Sequence, residues 1–171
     1  MINYLRECFV VMLLLISPSI ASAQDSAYFQ PDSLSDLTSL LESAGFQVET
    51  DGLTWLIAPD GTRVMFDHFQ GSNGQIAGLR VTASFYVGMS ERALLAAYDY
   101  EATNPLASIA IFQMEGGRAI FLQRDIAFGT GRTPENILRN VSLLFQLIPY
   151  FQESLLSADP TLEAMWAESA Q

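Results

Sequence analysis

The stretch DYEATNPLASIAIFQMEGGRAIFLQRDI, residues 99–126, changes its pattern twice. Its first residues close a helix predicted over 90–103, with Ser90 as N-cap and with Leu94, Leu95 and Tyr98 turned toward the core by helical spacing. Proline disfavours helical geometry in the residue before it, so Asn104-Pro105 ends that helix. Two apolar strands follow, 107–114 and 118–128. Glu115-Gly116-Gly117 between them reads as a tight reversal in which Gly116 or Gly117 takes a positive φ. A helix that runs into an antiparallel hairpin is a unit of an α+β fold.

The same signals extend the reading in both directions. Upstream, PDSLSDLTSLLESAG carries Ser33 and Asp36 at capping-box spacing and Leu34, Leu37, Leu40, Leu41 and Ala44 at helical spacing, with Gly45 as the stop. Extended segments follow at 46–57, with a break at Asp51-Gly52, at 62–69 after Pro59-Asp60-Gly61, and at 78–87. The glycine-rich link QGSNGQIA, residues 70–77, reads as a hairpin tip. Downstream, Thr133-Pro134 opens a helix with Ile137, Val141, Leu144 and Ile148 along one stripe, and Pro149 is expected to kink or split it. A short helix over 160–168 is expected to dock only weakly through Leu162, Met165 and Trp166. The expected architecture is an antiparallel sheet of about five strands flanked by helices, in the order α-βββ-α-ββ-α.

The chain opens MINYLRECFVVMLLLISPSIASAQDS. Arg6 precedes an apolar run much shorter than the roughly 20 residues that span a bilayer. Ser17-Pro18 then leads to Ala21-Ser22-Ala23. Residues 1–23 thus read as a signal peptide cut after Ala23, with a retained anchor as the alternative, and the mature protein is expected to be periplasmic or secreted. Residues 24–31 form a short polar linker, 32–156 the domain, and 157–171 a C-terminal tail with its short helix. Cys8 is the one cysteine and falls in the leader without a lipidation pattern before it, so the mature chain has no thiol to pair or to hold a metal. The chain has 19 acidic and 8 basic residues, net charge −11, and every basic residue is arginine. Loss of Arg6 and Glu7 with the leader leaves that balance unchanged. Phosphate backbones and anionic lipid surfaces would repel such a chain, so neither nucleic acid nor a membrane is expected as a partner of the mature protein.

The segments LLESAGFQVE, DGTRVMFDHF, GLRVTASF, GGRAIFLQRDI and GTGRTPENILRN, with a helix ending at Asn104, resemble the YbjN family of bacterial proteins over residues 32–156. Relatives commonly carry a tryptophan where this chain has Thr103, and some have two cysteines in the loop that reads QGSNGQ here. The resemblance implies a fold like that of the type III secretion chaperones, an α+β sandwich often found as dimers. It also implies a sensory or regulatory role, and it supplies a fold without pointing to a reaction.

Candidate chemical groups are few. His68 beside Asp67 suggests a carboxylate-oriented imidazole, but strand alternation puts His68 with Val64 and Phe66 and puts Asp67 with Met65 and Phe69. A single histidine does not make the usual multi-histidine metal site, and a structural histidine is the reading favoured. Asp99 and Glu101 diverge around a helix, with Glu101 toward solvent, and Asp125 points away from Arg124 on its strand. These carboxylates read as solvated trim, with a shared acidic patch as the alternative. Gly129, Gly131 and Arg132 lie between a strand and a helix start, a place where free N–H groups hold anions. They lack the lysine of a P-loop and the third glycine of a dinucleotide fingerprint. No serine has the glycines of a nucleophile elbow. No catalytic, cofactor or metal residue is assigned.

The function expected is therefore a non-enzymatic, chaperone-like or regulatory protein-binding module. The alternative is an envelope enzyme or small-anion binder that uses His68 or Arg132 with nearby carboxylates. Half of the residues are hydrophobic, and both faces of 107–128 carry large apolar groups. A homodimer with Phe112 and Met114 near its interface is one expectation, and a monomer whose second face is covered by the tail is the other. Intact-mass measurement on the exported protein is expected to place Gln24 at the amino terminus; a mature chain that still contains Cys8 would refute the cleavage assigned to Ala23.

Overall fold

The structure, a computed structural model, describes residues 28–128 and 132–169 of the chain, so the leader assigned to residues 1–23 and the glycines Gly129 and Gly131 lie outside the described residues. The elements run α1 (Leu34–Ser43), β1 (Gln47–Asp51), β2 (Leu53–Ile57), β3 (Arg63–Gln70), β4 (Ile76–Gly88), α2 (Glu91–Thr103), β5 (Ser108–Met114), β6 (Gly117–Ala127), α3 (Pro134–Ala158) and α4 (Thr161–Ser169). The fold is α+β. Its strands form one antiparallel sheet in the order β1-β2-β3-β4-β6-β5. Six strands pair where about five were expected, because the break at Asp51-Gly52 is a full reversal. Gly52 takes φ 68° and Asp51 pairs with Leu53 across the turn.

Alternation along the strands sorts the core. Leu56 of β2, Val64 and Phe66 of β3, Leu79, Val81 and Ala83 of β4, and Ile120, Leu122 and Ile126 of β6 are all buried and share one face of the sheet. The helices cover that face with Leu37, Leu41, Ala97, Val141, Leu144 and Phe151. Local chemistry starts each helix. Ser33 and Asp36 make the reciprocal capping box of α1, Ser90 Oγ accepts from Ala93 N–H at 3.1 Å, and Thr133 caps α3 with Pro134 in its first turn. The Ser90 hydroxyl also donates to Asp159, which joins the start of α2 to the end of α3.

Three helix readings change. The buried face of α2 is Ala93, Leu94 and Ala97, with Tyr100 packed beside Phe151 at 4.9 Å, whereas Leu95 and Tyr98 are exposed. Helical spacing alone leaves the rotation of such a stripe open, and packing against α3 sets it. Second, α3 runs unbroken through Pro149. The hydrogen bond that a proline forgoes there is offset by a buried stripe that continues through Leu147, Phe151 and Leu155. Third, α4 docks firmly: Leu162 is fully buried, Trp166 lies 6.0 Å from the Phe85 ring, and its indole N–H donates to Tyr86 O at 2.6 Å. The amino-terminal side is tied down as well. Phe29 packs edge-on against Phe128, and Gln30 donates to Ile76 O.

The Glu115-Gly116-Gly117 turn forms as expected, with Gly116 at φ 83°. Gly117 is needed for another reason: a Cβ there would lie 2.6 Å from the Cα of Gly88, so β6 and the end of β4 approach closer than any side chain permits.

The packing of α2 against α3 gives a direct test. Phe151→Ala removes a fully buried ring that touches both Phe85 and Tyr100, and urea unfolding is expected to show a loss of about 3–5 kcal/mol. Leu95→Ala is expected to change stability by about 0.5 kcal/mol or less; a core-sized loss at Leu95 would mean that α2 is rotated from the position described.

Candidate functional site

All the large side chains buried from the sheet lie on its helix-covered face, and the opposite face is open. Strand alternation assigns to this open face Leu53 and Trp55 of β2, Met65, Asp67 and Phe69 of β3, Arg80, Thr82 and Tyr86 of β4, Phe121, Gln123 and Asp125 of β6, and Phe112 and Met114 of β5. Cross-strand register builds rows on it, such as Met65–Thr82–Gln123–Ser108. Phe112 and Phe121 stack with centroids 4.5 Å apart. Arg63 lies over the Trp55 ring at 5.4 Å and pairs with Glu49 at 3.0 Å. A depression of about 410 Å³ opens among Leu53, Met65, Arg80, Thr82, Phe121 and Gln123. Phe112 and Met114, the interface residues expected from the sequence, are 48% and 51% exposed on the edge strand of this face.

A second row, Asp67–Arg80–Asp125, is charged throughout. Arg80 grips Asp125 through Nε at 2.6 Å and a terminal nitrogen at 2.7 Å. That hydrogen-bonded pair raises the guanidinium above its ordinary pKa and holds the Asp125 carboxyl below the usual carboxylate range. Asp67 adds a second negative charge beside Arg80 and accepts the backbone N–H of His68 at 2.7 Å. A cleft of about 250 Å³ is lined by Asp67, His68, Phe69, Arg80 and Asp125. The contact between Asp67 and His68 is thus made through the backbone, and the carboxylate does not orient the imidazole.

Arg132 lies elsewhere. A polar cleft of about 250 Å³ beyond the start of β5 is bordered by Ser108, Gln123, Arg124, Asp125, Arg132 and Asn140. Arg124 stands on the helix-covered face of β6 and donates through Nε and a terminal nitrogen to the Asn140 carbonyl, while Asn140 donates to Asn136 O at 2.6 Å. Arg132 donates through Nε to Ala127 O at 2.9 Å, and its own carbonyl accepts from Phe29 N–H at 2.8 Å. Partial burial and then the charge of Arg132 lower the Arg124 guanidinium from its ordinary pKa.

His68 and Arg132 therefore do not share a cleft among the described residues; Asp125 is the group that borders both clefts. Asp99 is exposed, as expected. Glu101 departs from its expected place in solvent. It is half-buried, and Oε1 accepts the Ile109 backbone N–H at 2.8 Å, because the turn at Asn104-Pro105 folds β5 back alongside the helix that carries Glu101. The Arg80–Asp125 and Arg124–Asn140 pairs escaped the sequence reading, since residues 45 and 16 positions apart meet only once strand order is known. The alternation around Arg124-Asp125 was legible, and it separates their side chains to opposite faces as expected. Among the described residues no group of three histidine, cysteine or acidic side chains could hold a metal ion, and no helix is long and apolar enough to cross a membrane.

No protein-family model matches this chain, and no curated protein matches it in sequence. The crystal structure of YbjN from E. coli, a protein proposed as a transcription regulator, matches over 75% of this chain and 93% of its own, with a TM-score of 0.54 at 15% sequence identity. The likeness extends over most of the domain and nearly all of YbjN, while so low an identity leaves the side chains of the two proteins free to differ. The resemblance seen in the sequence is thus upheld at the level of architecture: this chain has a YbjN-like fold.

Proposed function

We propose that this protein is a non-enzymatic binding and regulatory module of the periplasm, which acts by presenting the open sheet face and the β5 edge to another polypeptide, and first of all to a second copy of itself. The observation that carries the reading is the contrast between the two edges of the sheet. The β1 edge, QVETD, carries Glu49 and Asp51, charges of the kind that deter a further strand. The β5 edge, SIAIFQM, has no charge and no proline and leads directly onto exposed Phe112 and Met114. The docked tail does not bury these two residues. Its Trp166 packs on Phe85, which belongs to the helix-covered face.

The pattern along β5 supports a specific register. Backbone groups of an antiparallel edge strand point alternately toward the neighbouring strand and away from it. Glu101 takes the outward N–H of Ile109, so Ile111 and Gln113 carry the next outward pairs of N–H and C=O groups. Two copies related by a two-fold axis at Phe112 would pair Ile111 of each with Gln113 of the other and set the Phe112 rings side by side. The Glu101 carboxylate would limit the pairing to that short segment. A YbjN-like fold supports a binding or regulatory role, and YbjN itself is proposed as a transcription regulator. With a net charge of −11 and no lysine, this chain is suited to act through a protein partner rather than through nucleic-acid phosphates. Periplasmic placement rests on the signal-peptide pattern of residues 1–23.

Light scattering on the mature protein is expected to return twice the mass of one chain, and Phe112→Asp is expected to restore the single-chain mass without loss of the circular-dichroism spectrum. A single-chain mass for the unaltered protein, indifferent to Phe112→Asp, ends the self-association reading.

A further inference from the structure

The cleft beyond the start of β5 holds two arginines whose charges no carboxylate offsets. Among the described residues neither Arg124 nor Arg132 has an acidic partner within ion-pair distance, whereas Arg63, Arg80 and Arg118 each hold one. Both are held instead by neutral carbonyls, Arg124 by the side chain of Asn140 and Arg132 by the backbone of Ala127. Asp125 borders the cleft, but both its carboxylate oxygens are engaged by Arg80. Among the described residues Arg92 and Arg139 hold no ion pair either, but they stand apart from this cleft; Arg124 and Arg132 are the two that border one common space.

We propose that this cleft is a binding site for a phosphate-type oxyanion, either free inorganic phosphate or the terminal phosphoryl group of an ester. Asn140 occupies Nε and one terminal nitrogen of Arg124, and Ala127 O occupies only Nε of Arg132. Terminal N–H groups of both guanidiniums are thus left for a ligand, and paired guanidiniums suit the several oxygens of a phosphate. Two positive charges match a phosphate dianion better than a single carboxylate. Burial is the larger cause that depresses Arg124 and repulsion by Arg132 the smaller, and an anion seated between the pair relieves the second. Ser108 and Gln123 border the same space and can supply neutral donors. The cleft is open and of about 250 Å³, so an ester's organic part can project into solvent. Asn140 is the positioning residue, since its carbonyl fixes the Arg124 fork and its amide is in turn fixed on Asn136 O.

Titration calorimetry of the mature protein with inorganic phosphate at low ionic strength is expected to show one saturable site with a dissociation constant near 1 mM or below, at least about tenfold tighter than acetate. Glycerol phosphate distinguishes the two sources: equal or tighter binding points to an ester, and weaker binding to free phosphate. Arg132→Gln is expected to weaken binding about tenfold or more. Asn140→Asp, which sets a carboxylate against Arg124 in a side chain of nearly the same shape, is expected to do the same while the circular-dichroism spectrum is kept. Arg63→Gln, on the open face and far from the cleft in the sheet order, leaves binding unchanged. Phosphate binding retained in both Arg132→Gln and Asn140→Asp, or no saturable binding by the unaltered protein, overturns the proposal.

Discussion

The antiparallel ladder between β4 and β6 is the constraint from which the two faces of this molecule follow. It joins strands separated by α2 and β5 in sequence, and its register sets Leu79 opposite Ile126, Val81 opposite Arg124 and Arg80 opposite Asp125. Because side chains alternate, a shift of one residue would carry Leu79, Val81 and Ala83 out of the core and bring Arg80 into it. Burial of the leucine, valine and isoleucine set therefore fixes the charged row on the other side as well. The Arg80–Asp125 ion pair is half-exposed and adds little stability of its own, but it is correct only in the register that the core selects.

With all the helices on one side, the fold has to manage an uncovered face and its strand edges. Polar groups stand in the middle of that face, a buried Thr82 beside a half-buried Gln123, and Arg63 lies over the Trp55 ring. Single side chains close the edges locally. Glu101 takes an outward N–H at the start of β5, and Trp166 donates to the carbonyl of Tyr86 near the end of β4. Both devices act at the ends of strands, and the middle of β5 has none, so its outward backbone groups and the exposed Phe112 and Met114 are left beside each other on an uncharged edge.

The two arginine environments show how one residue type is put to two uses. Arg80 is neutralised in the row Asp67–Arg80–Asp125 and serves the sheet. Arg124, one strand away and on the opposite face, meets an amide carbonyl where a carboxylate would have cancelled its charge. A site that keeps its positive charge in an acidic chain has to be local, for the field of the whole protein opposes an arriving anion and only groups within hydrogen-bond reach overcome it.

The elements themselves were legible because their signals are local. Ser33 and Asp36, Ser90, Asn104-Pro105, Gly116 and Thr133-Pro134 act on neighbours a few residues away, and the helices and strands they bound appear where those residues stand. The open second face was legible too, from the apolar groups on both sides of the β5–β6 hairpin. Other features depend on contacts between distant parts of the chain. The rotation of α2 that exposes Leu95 and Tyr98, the continuity of α3 through Pro149, the turn of Glu101 back onto Ile109, and the meetings of Arg80 with Asp125 and of Arg124 with Asn140 were decided by tertiary packing. The reason is physical: caps and turns are settled by hydrogen bonds within one turn of chain, whereas side chains 16 or 45 positions apart become neighbours only after burial of the core has fixed which strands lie together.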